Sequence, residues 1–118
     1  MTESNSNNMP VLVVGGGIGG LAAALALSKK GYASHVIEQS AEFGEIGAGI
    51  QLGPNVFRAF RELGIYEAVC DKAVFVDDLI MMDSISGTPI KTIPLGETIR
   101  ERFNDPYAVI HRADLHQA

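Results

Sequence analysis

Six consecutive residues, Gly15, Gly16, Gly17, Ile18, Gly19 and Gly20, satisfy the spacing G-x-G-x-x-G. Such a run can bind an anion without a single positive side chain. The first glycine of the pattern, Gly15, permits a tight turn; Gly17 lets the backbone approach a pyrophosphate; Gly20 lets the following helix pack against the preceding strand. The N–H groups of that helix's first turn then point at the phosphate. Glu38 stands 18 positions past Gly20, where an acid ending a second strand can accept hydrogen bonds from an adenosine ribose. Its carboxylate would repel a 2′-phosphate on that ribose, so the expected ligand is FAD or NAD. The glycine spacing alone is a weak signal, and its weight comes from the elements that must position it.

Val11–Val14 is a short, β-branched apolar run ending where the glycines begin, which predicts a buried parallel strand at the centre of a sheet. From Ile18 the chain turns to Leu and Ala, strong helix formers, and stops at Lys29, Lys30 and Gly31 with a basic last turn and a C-terminal glycine. Residues 33–38 predict a second strand. The three make a β-α-β unit, whose crossover is expected to be right-handed. Residues 43–53, with Gly44, Gly47, Gly49 and Gly53, predict a loop. Pro54 then opens a helix with Val56, Phe57, Phe60 and Leu63 on one face, Arg58, Arg61 and Glu62 on the other, and Gly64 closing it. Another helical turn follows at 65–69.

Beyond that the pattern changes. Apolar runs at 75–83 and 90–95, separated by a turn at Ser86 and Gly87, predict a β-hairpin rather than a further parallel βα repeat. Residues 96–106 are polar and predict irregular chain, 107–110 a short strand, and 113–118 a helix cut in mid-element. Core packing is expected for Met81 and Met82, and a surface place on the second strand for His35. The hairpin argues against a NAD-linked dehydrogenase, which would continue with parallel strands. A dinucleotide-binding module without turnover stays open.

Composition narrows the classes further. The 118 residues are 47% hydrophobic and suffice for one small core. Nine Lys and Arg against fourteen Asp and Glu leave a net charge of -5, which excludes a broad basic face for nucleic acid. Residues 1–9 are polar, lack the pattern of a signal peptide and predict a disordered leader, so the cytoplasm is the default location. No apolar run reaches the roughly 20 residues of a membrane span. The one cysteine, Cys70, reads as a buried or half-buried small hydrophobe. Asp77, Asp78 and Asp83 lack a flanking histidine and are not expected to hold a metal.

Several segments share one further pattern: residues 15–20, Glu38 with Gln39, Gly44-Glu45-Ile46-Gly47-Ala48-Gly49-Ile50-Gln51, Pro54 with Asn55, and His111-Arg112-Ala113-Asp114-Leu115-His116. Together they resemble the N-terminal part of the single-component FAD-dependent aromatic hydroxylases, from Pro10 to Ala118. The resemblance implies an α/β fold: a Rossmann-like FAD/NAD(P)-binding β-α-β unit with the start of an antiparallel substrate-domain sheet, truncated. It divides the chain into the leader 1–9, an FAD-binding part 10–72, an excursion into the substrate domain at 73–106, and a return to the FAD-binding part at 107–118. It implies bound FAD, with NADH or NADPH as co-substrate and a small phenolic acid as substrate; a homodimer is compatible with it. Gly15 to Gly20 would hold the pyrophosphate, and Glu38 with Gln39 the adenosine side. The segment with Gly49 and Gln51 would pass the ribityl and flavin, while Arg112 would contact the cofactor. Arg58 reads equally as a flavin-facing residue and as a solvated helix arginine. The resemblance names no catalytic base within these residues.

Overall fold

A computed structural model of the chain describes residues 9–41 and 48–118. The leader before Met9 and the first part of the predicted glycine loop, with Gly44 and Gly47, lie outside the described residues. The chain forms two compact units, one up to residue 44 and one from residue 45.

In the first unit, β1 (Val11–Val14), α1 (Ile18–Lys29) and β2 (Ser34–Ile37) follow in order. β1 and β2 pair in parallel, from Val11 opposite Ser34 to Val14 opposite Ile37. The Gly15 N–H extends this ladder by donating to the Ile37 carbonyl at 2.8 Å. Gly15 has φ +106, a conformation open to glycine and costly for other residues. The chain thereby reverses within three residues into α1. At the other end of α1, Gly31 (φ +82) donates to the Ser28 carbonyl at 2.9 Å, and Tyr32 donates to Leu27. The predicted parallel β-α-β unit and its glycine stop are therefore present. The expected burial of β1 is not, because among the described residues β1 pairs only with β2. Leu12 is 59% and Val14 77% exposed.

Gly20 marks where α1 crosses the turn. A Cβ there would overlap the Gly15 carbonyl oxygen and lie 3.1 Å from its carbon, so only glycine fits without a backbone shift.

The second unit holds β3 (Gly49–Leu52), α2 (Pro54–Leu63), α3 (Tyr66–Cys70), β4 (Val74–Phe75), β5 (Asp78–Met82), β6 (Pro89–Pro94), α4 (Glu97–Phe103), β7 (Ala108–His111) and α5 (Arg112–Gln117). β7 is the middle strand of an antiparallel sheet, with β3 on one side and β4 on the other. Its register sets Gly49 opposite His111, Ile50 opposite Ile110, Gln51 opposite Val109 and Leu52 opposite Ala108. Because side chains alternate along a strand, Leu52, Ala108 and Ile110 turn into the core and Gly49, Gln51 and His111 turn outward.

α2 supplies the rest of that core. Phe57 is fully buried and meets Phe60 edge-on at 5.8 Å, Tyr66 edge-on at 6.1 Å and Phe75 stacked at 6.5 Å. Pro54 opens α2, and Gly64 (φ +77) closes it as predicted. Val69 of α3 and Leu115 of α5 complete the buried set, and Cys70 is half-buried and free.

Five predicted assignments change. Residues 49–52 form β3 rather than loop, because β7 supplies its hydrogen-bond partners. Phe75 leaves the predicted hairpin and, together with Val74, pairs with β7 instead. The hairpin is confined to β5 and β6, with Asp78 opposite Pro94 and Met82 opposite Pro89. The tract predicted irregular contains α4, whose Arg100 guanidinium lies 5.3 Å over the Phe75 ring. Finally, Met81 and Met82 are more than half exposed rather than in the core, since neither face of the hairpin is covered. Among the described residues, no helix is long and apolar enough to cross a membrane.

The Gly15 and Gly20 contact makes a direct prediction about stability. Replacing a helix glycine with alanine gains about 1 kcal/mol of helix propensity, while forcing a methyl into a filled space costs about 1–3 kcal/mol. Gly20→Ala is expected to lower the urea midpoint of the ligand-free protein. Gly19→Ala, whose Cβ meets nothing within 4 Å, is expected to hold or raise it. Equal midpoints for the two variants would contradict the close approach.

Candidate functional site

The carboxyl ends of β1 and β2 lie side by side, the position at which open parallel sheets bind ligands. A cavity of about 420 Å³ opens there, lined by Val14, Gly15, Ile37, Glu38 and Gln39. Glu38 follows β2 directly, and its side chain turns back on the glycine turn. Its Oε2 accepts from the Gly16 N–H at 2.6 Å and its Oε1 from the Ser40 N–H at 2.9 Å. These donors, Ser40 first and Gly16 second, hold the Glu38 carboxyl below the usual glutamate range. An ionised carboxylate has about four acceptor positions. With two taken by backbone, each oxygen can still accept from a diol.

Gly17 caps α1 with extended backbone (φ −70, ψ 177), and no side chain bonds to the exposed turn. No acid stands in that first turn. The helix therefore presents its N-terminal dipole and its first N–H groups with no side-chain cap of its own, and the nearby Glu38 carboxylate is bonded to Gly16 ahead of the helix. A Cβ built at Gly15, Gly17 or Gly19 would enter open space, so the protein's own packing does not demand glycine at those points. This is the behaviour expected where something outside the chain comes close. Gly15 is demanded by its φ and Gly20 by packing; Gly17 and Gly19 keep the surface bare. Ile18 is the half-buried first residue of α1. Bare glycines, an uncapped helix and an acid set beside the turn fit the pyrophosphate and ribose of a dinucleotide such as FAD.

The remaining predicted residues belong to the second unit. Gly49 and Gln51 share the outward face of β3, beside His111 and Val109 of β7. Arg58 lies on α2 with its side chain 83% exposed, and its Nε donates to Glu62 one helical turn away at 3.3 Å. So exposed a pair is weakly held and leaves Arg58 free to change partner. Arg112 is the first residue of α5, and its N–H donates to the Ala48 carbonyl at 3.2 Å. The preceding His111 accepts the Ala113 N–H at Nδ1, 3.3 Å away, which makes this histidine a helix cap. Thus Gly49 and Gln51 lie on the edge strand β3, Arg112 directly follows the middle strand β7 and bonds the chain entering β3, and Arg58 stands on the helix that follows β3.

Sequence reading missed one interaction here. Arg61, assigned to the solvated face of α2, makes a two-pronged ion pair with the buried carboxylate of Asp105, Nη1 reaching Oδ2 at 3.1 Å and Nη2 bonding Oδ1. The only signal was an acid just before Pro106 at the edge of an apolar run. Among the described residues, no three His, Cys, Asp or Glu side chains stand close enough to hold a metal ion.

The family model described as an FAD binding domain matches residues 8–95. The chain is 58% identical over 114 residues to a 3-hydroxybenzoate 6-hydroxylase of Polaromonas naphthalenivorans, covering 97% of this chain and 28% of that protein. It is 35% identical over 111 residues to a 6-hydroxynicotinate 3-monooxygenase of Pseudomonas fluorescens, covering 94% and 29%. Among solved structures, it is similar to Klebsiella pneumoniae HpxO complexed with FAD and uric acid, with 28% identity and a TM-score of 0.82, covering 94% of this chain and 28% of that one. The chain thus spans less than a third of the length of these relatives. With three-quarters of its residues inside the family match, the chain belongs to the FAD-binding domain family.

Proposed function

We propose that this chain is the dinucleotide-binding part of an FAD-dependent monooxygenase that hydroxylates a small phenolic acid, with 3-hydroxybenzoate converted to gentisate. The observation that carries the FAD reading is the Glu38 carboxylate, ionised and bonded to Gly16 beside the uncapped start of α1. Support for the substrate is the 58% identity to a 3-hydroxybenzoate 6-hydroxylase. Salicylate hydroxylation is the runner-up within the same chemistry.

In this reading the N–H groups from Gly17 to Gly20 bind the pyrophosphate, with Gly15 and Gly16 forming the turn beneath it and Ile18 starting the helix. Glu38 accepts from the adenosine ribose hydroxyls, and the backbone at Gln39 borders the adenine side. Gly49 and Gln51 offer bare backbone and an amide toward the ribityl and flavin. Arg112 supplies a planar cationic donor, as Arg58 does on leaving Glu62. When bound, FAD supplies the chemistry of accepting hydride from NADH or NADPH and activating O2 for insertion into the ring. The role of these residues is to bind and orient the cofactor; deprotonation of the phenol is assigned to none of them.

Purification of the full-length protein without added cofactor tests this directly. The expected result is a yellow protein with flavin absorption, NADH oxidation stimulated by 3-hydroxybenzoate, and gentisate as product. A colourless protein that takes up NAD and ignores FAD would overturn the reading.

Glu38 offers a sharper test of the site. Glu38→Ala is expected to weaken FAD binding about 10-fold or more, since it removes charge-assisted hydrogen bonds. The sign of the pH dependence follows from the lowered carboxyl. The contribution of Glu38 is fully present above the ordinary glutamate value of about 4.3 and is lost as pH falls through the lower folded value. FAD titrations of wild type and variant should therefore differ by a constant factor from about pH 7 to about pH 5 and converge only in stronger acid. A gap that closes already near pH 6 would assign the effect to another group.

A further inference from the structure

We propose that Arg61 and Asp105 are positioning residues for the cofactor, acting through β7 to place Arg112 and the outward backbone of β3; this rests on the reading that those groups face FAD. α4 ends at Asn104 in the left-handed conformation (φ +59), and β7 begins at Ala108. Between them Asp105 and Pro106 are buried. Acids are rarely buried unless paired, and here the partner comes from a different element. Arg61 of α2 bonds both carboxylate oxygens, and its guanidinium lies 4.5 Å over the Tyr66 ring of α3. Three elements thus meet on one planar cation at the entrance to β7.

The far end of β7 is held differently. Arg112 donates its N–H to Ala48, and the ladder with β3 runs from Leu52 opposite Ala108 to Gly49 opposite His111. On the other edge Val76 donates to the Tyr107 carbonyl at 3.2 Å. β7 has four residues, and a slip of one would turn Ala108 and Ile110 outward and re-aim the chain at Arg112. The ion pair fixes where the strand starts, and so which residue arrives opposite Gly49. The same cation fixes α2 three residues after Arg58, on the face that Arg58 borders.

The experiment compares Arg61→Lys, which keeps the charge and loses the planar fork, with Val69→Ala, which opens a cavity at a fully buried position of α3. Each is read by thermal melting, by FAD titration and by amide hydrogen exchange of the FAD-free protein. Expected for Arg61→Lys are a cooperative melt, FAD binding weakened about 10-fold, and faster exchange at residues 108–112. Val69→Ala is expected to lower the melting temperature at least as much and to leave FAD affinity within about twofold. If FAD affinity falls in proportion to lost stability in both variants, or exchange across 108–112 is unchanged in Arg61→Lys, the proposal is overturned. Should Arg61→Lys not fold, Asp105→Glu, which keeps the charge and shifts it by one methylene, is read by the same criteria. A wild-type protein that binds no FAD would refute the proposed function instead, and the exchange comparison would still decide whether the pair sets β7.

Discussion

The backbone contact between Gly15 and Gly20 is the constraint on which the first unit depends. α1 can start three residues after β1 only because its first turn presses against the carbonyl of Gly15 with no side chain between them. That approach aims the helix's first N–H groups past the ends of the strands instead of into the sheet. It also brings Gly16 to where the acid ending β2 can reach it, and the hydrogen bond from Gly16 to Glu38 closes the arrangement. An uncapped positive helix end and a fixed carboxylate then lie close together. One is suited to phosphate and the other to sugar hydroxyls.

In the second unit the organising element is β7. It carries two sides of one argument in alternate residues: Ala108 and Ile110 go into a core anchored by Phe57, and Val109 and His111 flank the outward Gly49 and Gln51 of β3. Burial of the inner set therefore sets the position of the outer one. Phe57 packs against Phe60 of its own helix, Tyr66 of α3 and Phe75 of β4, so α2, α3 and β4 share one support. Functional groups on exposed chain are thereby carried by elements whose opposite sides are packed.

How much of this could be read from the sequence follows the distance over which each feature is determined. β1, α1 and the stop at Gly31 are set by residues adjacent in sequence, as are Pro54 at the start of α2 and Gly64 at its end, and all of these were legible. The glycine turn and Glu38 were legible for the same reason, since strand, turn, helix and second strand follow without interruption. α4 was not legible: a seven-residue helix is too short to hold itself, and it depends on contacts such as Arg100 over Phe75. β3 looked like loop because its partner β7 lies far along the chain. Met81 and Met82 looked like core because apolar residues usually are; here their hairpin has no cover among the described residues. The pairing of Arg61 with Asp105, 44 positions apart, left only the trace of an acid before Pro106, which does not name its partner.

The central claim is that the Gly15 to Gly20 turn and Glu38 hold the two halves of one FAD molecule's adenosine diphosphate. A crystal structure of the full-length protein with FAD tests it most directly. The account predicts pyrophosphate oxygens within hydrogen-bond distance of the N–H groups at the start of α1, and both ribose hydroxyls of the adenosine within reach of the Glu38 carboxylate. A pyrophosphate seated away from α1, or a ribose whose hydroxyls are bonded elsewhere while Glu38 faces solvent, would contradict it.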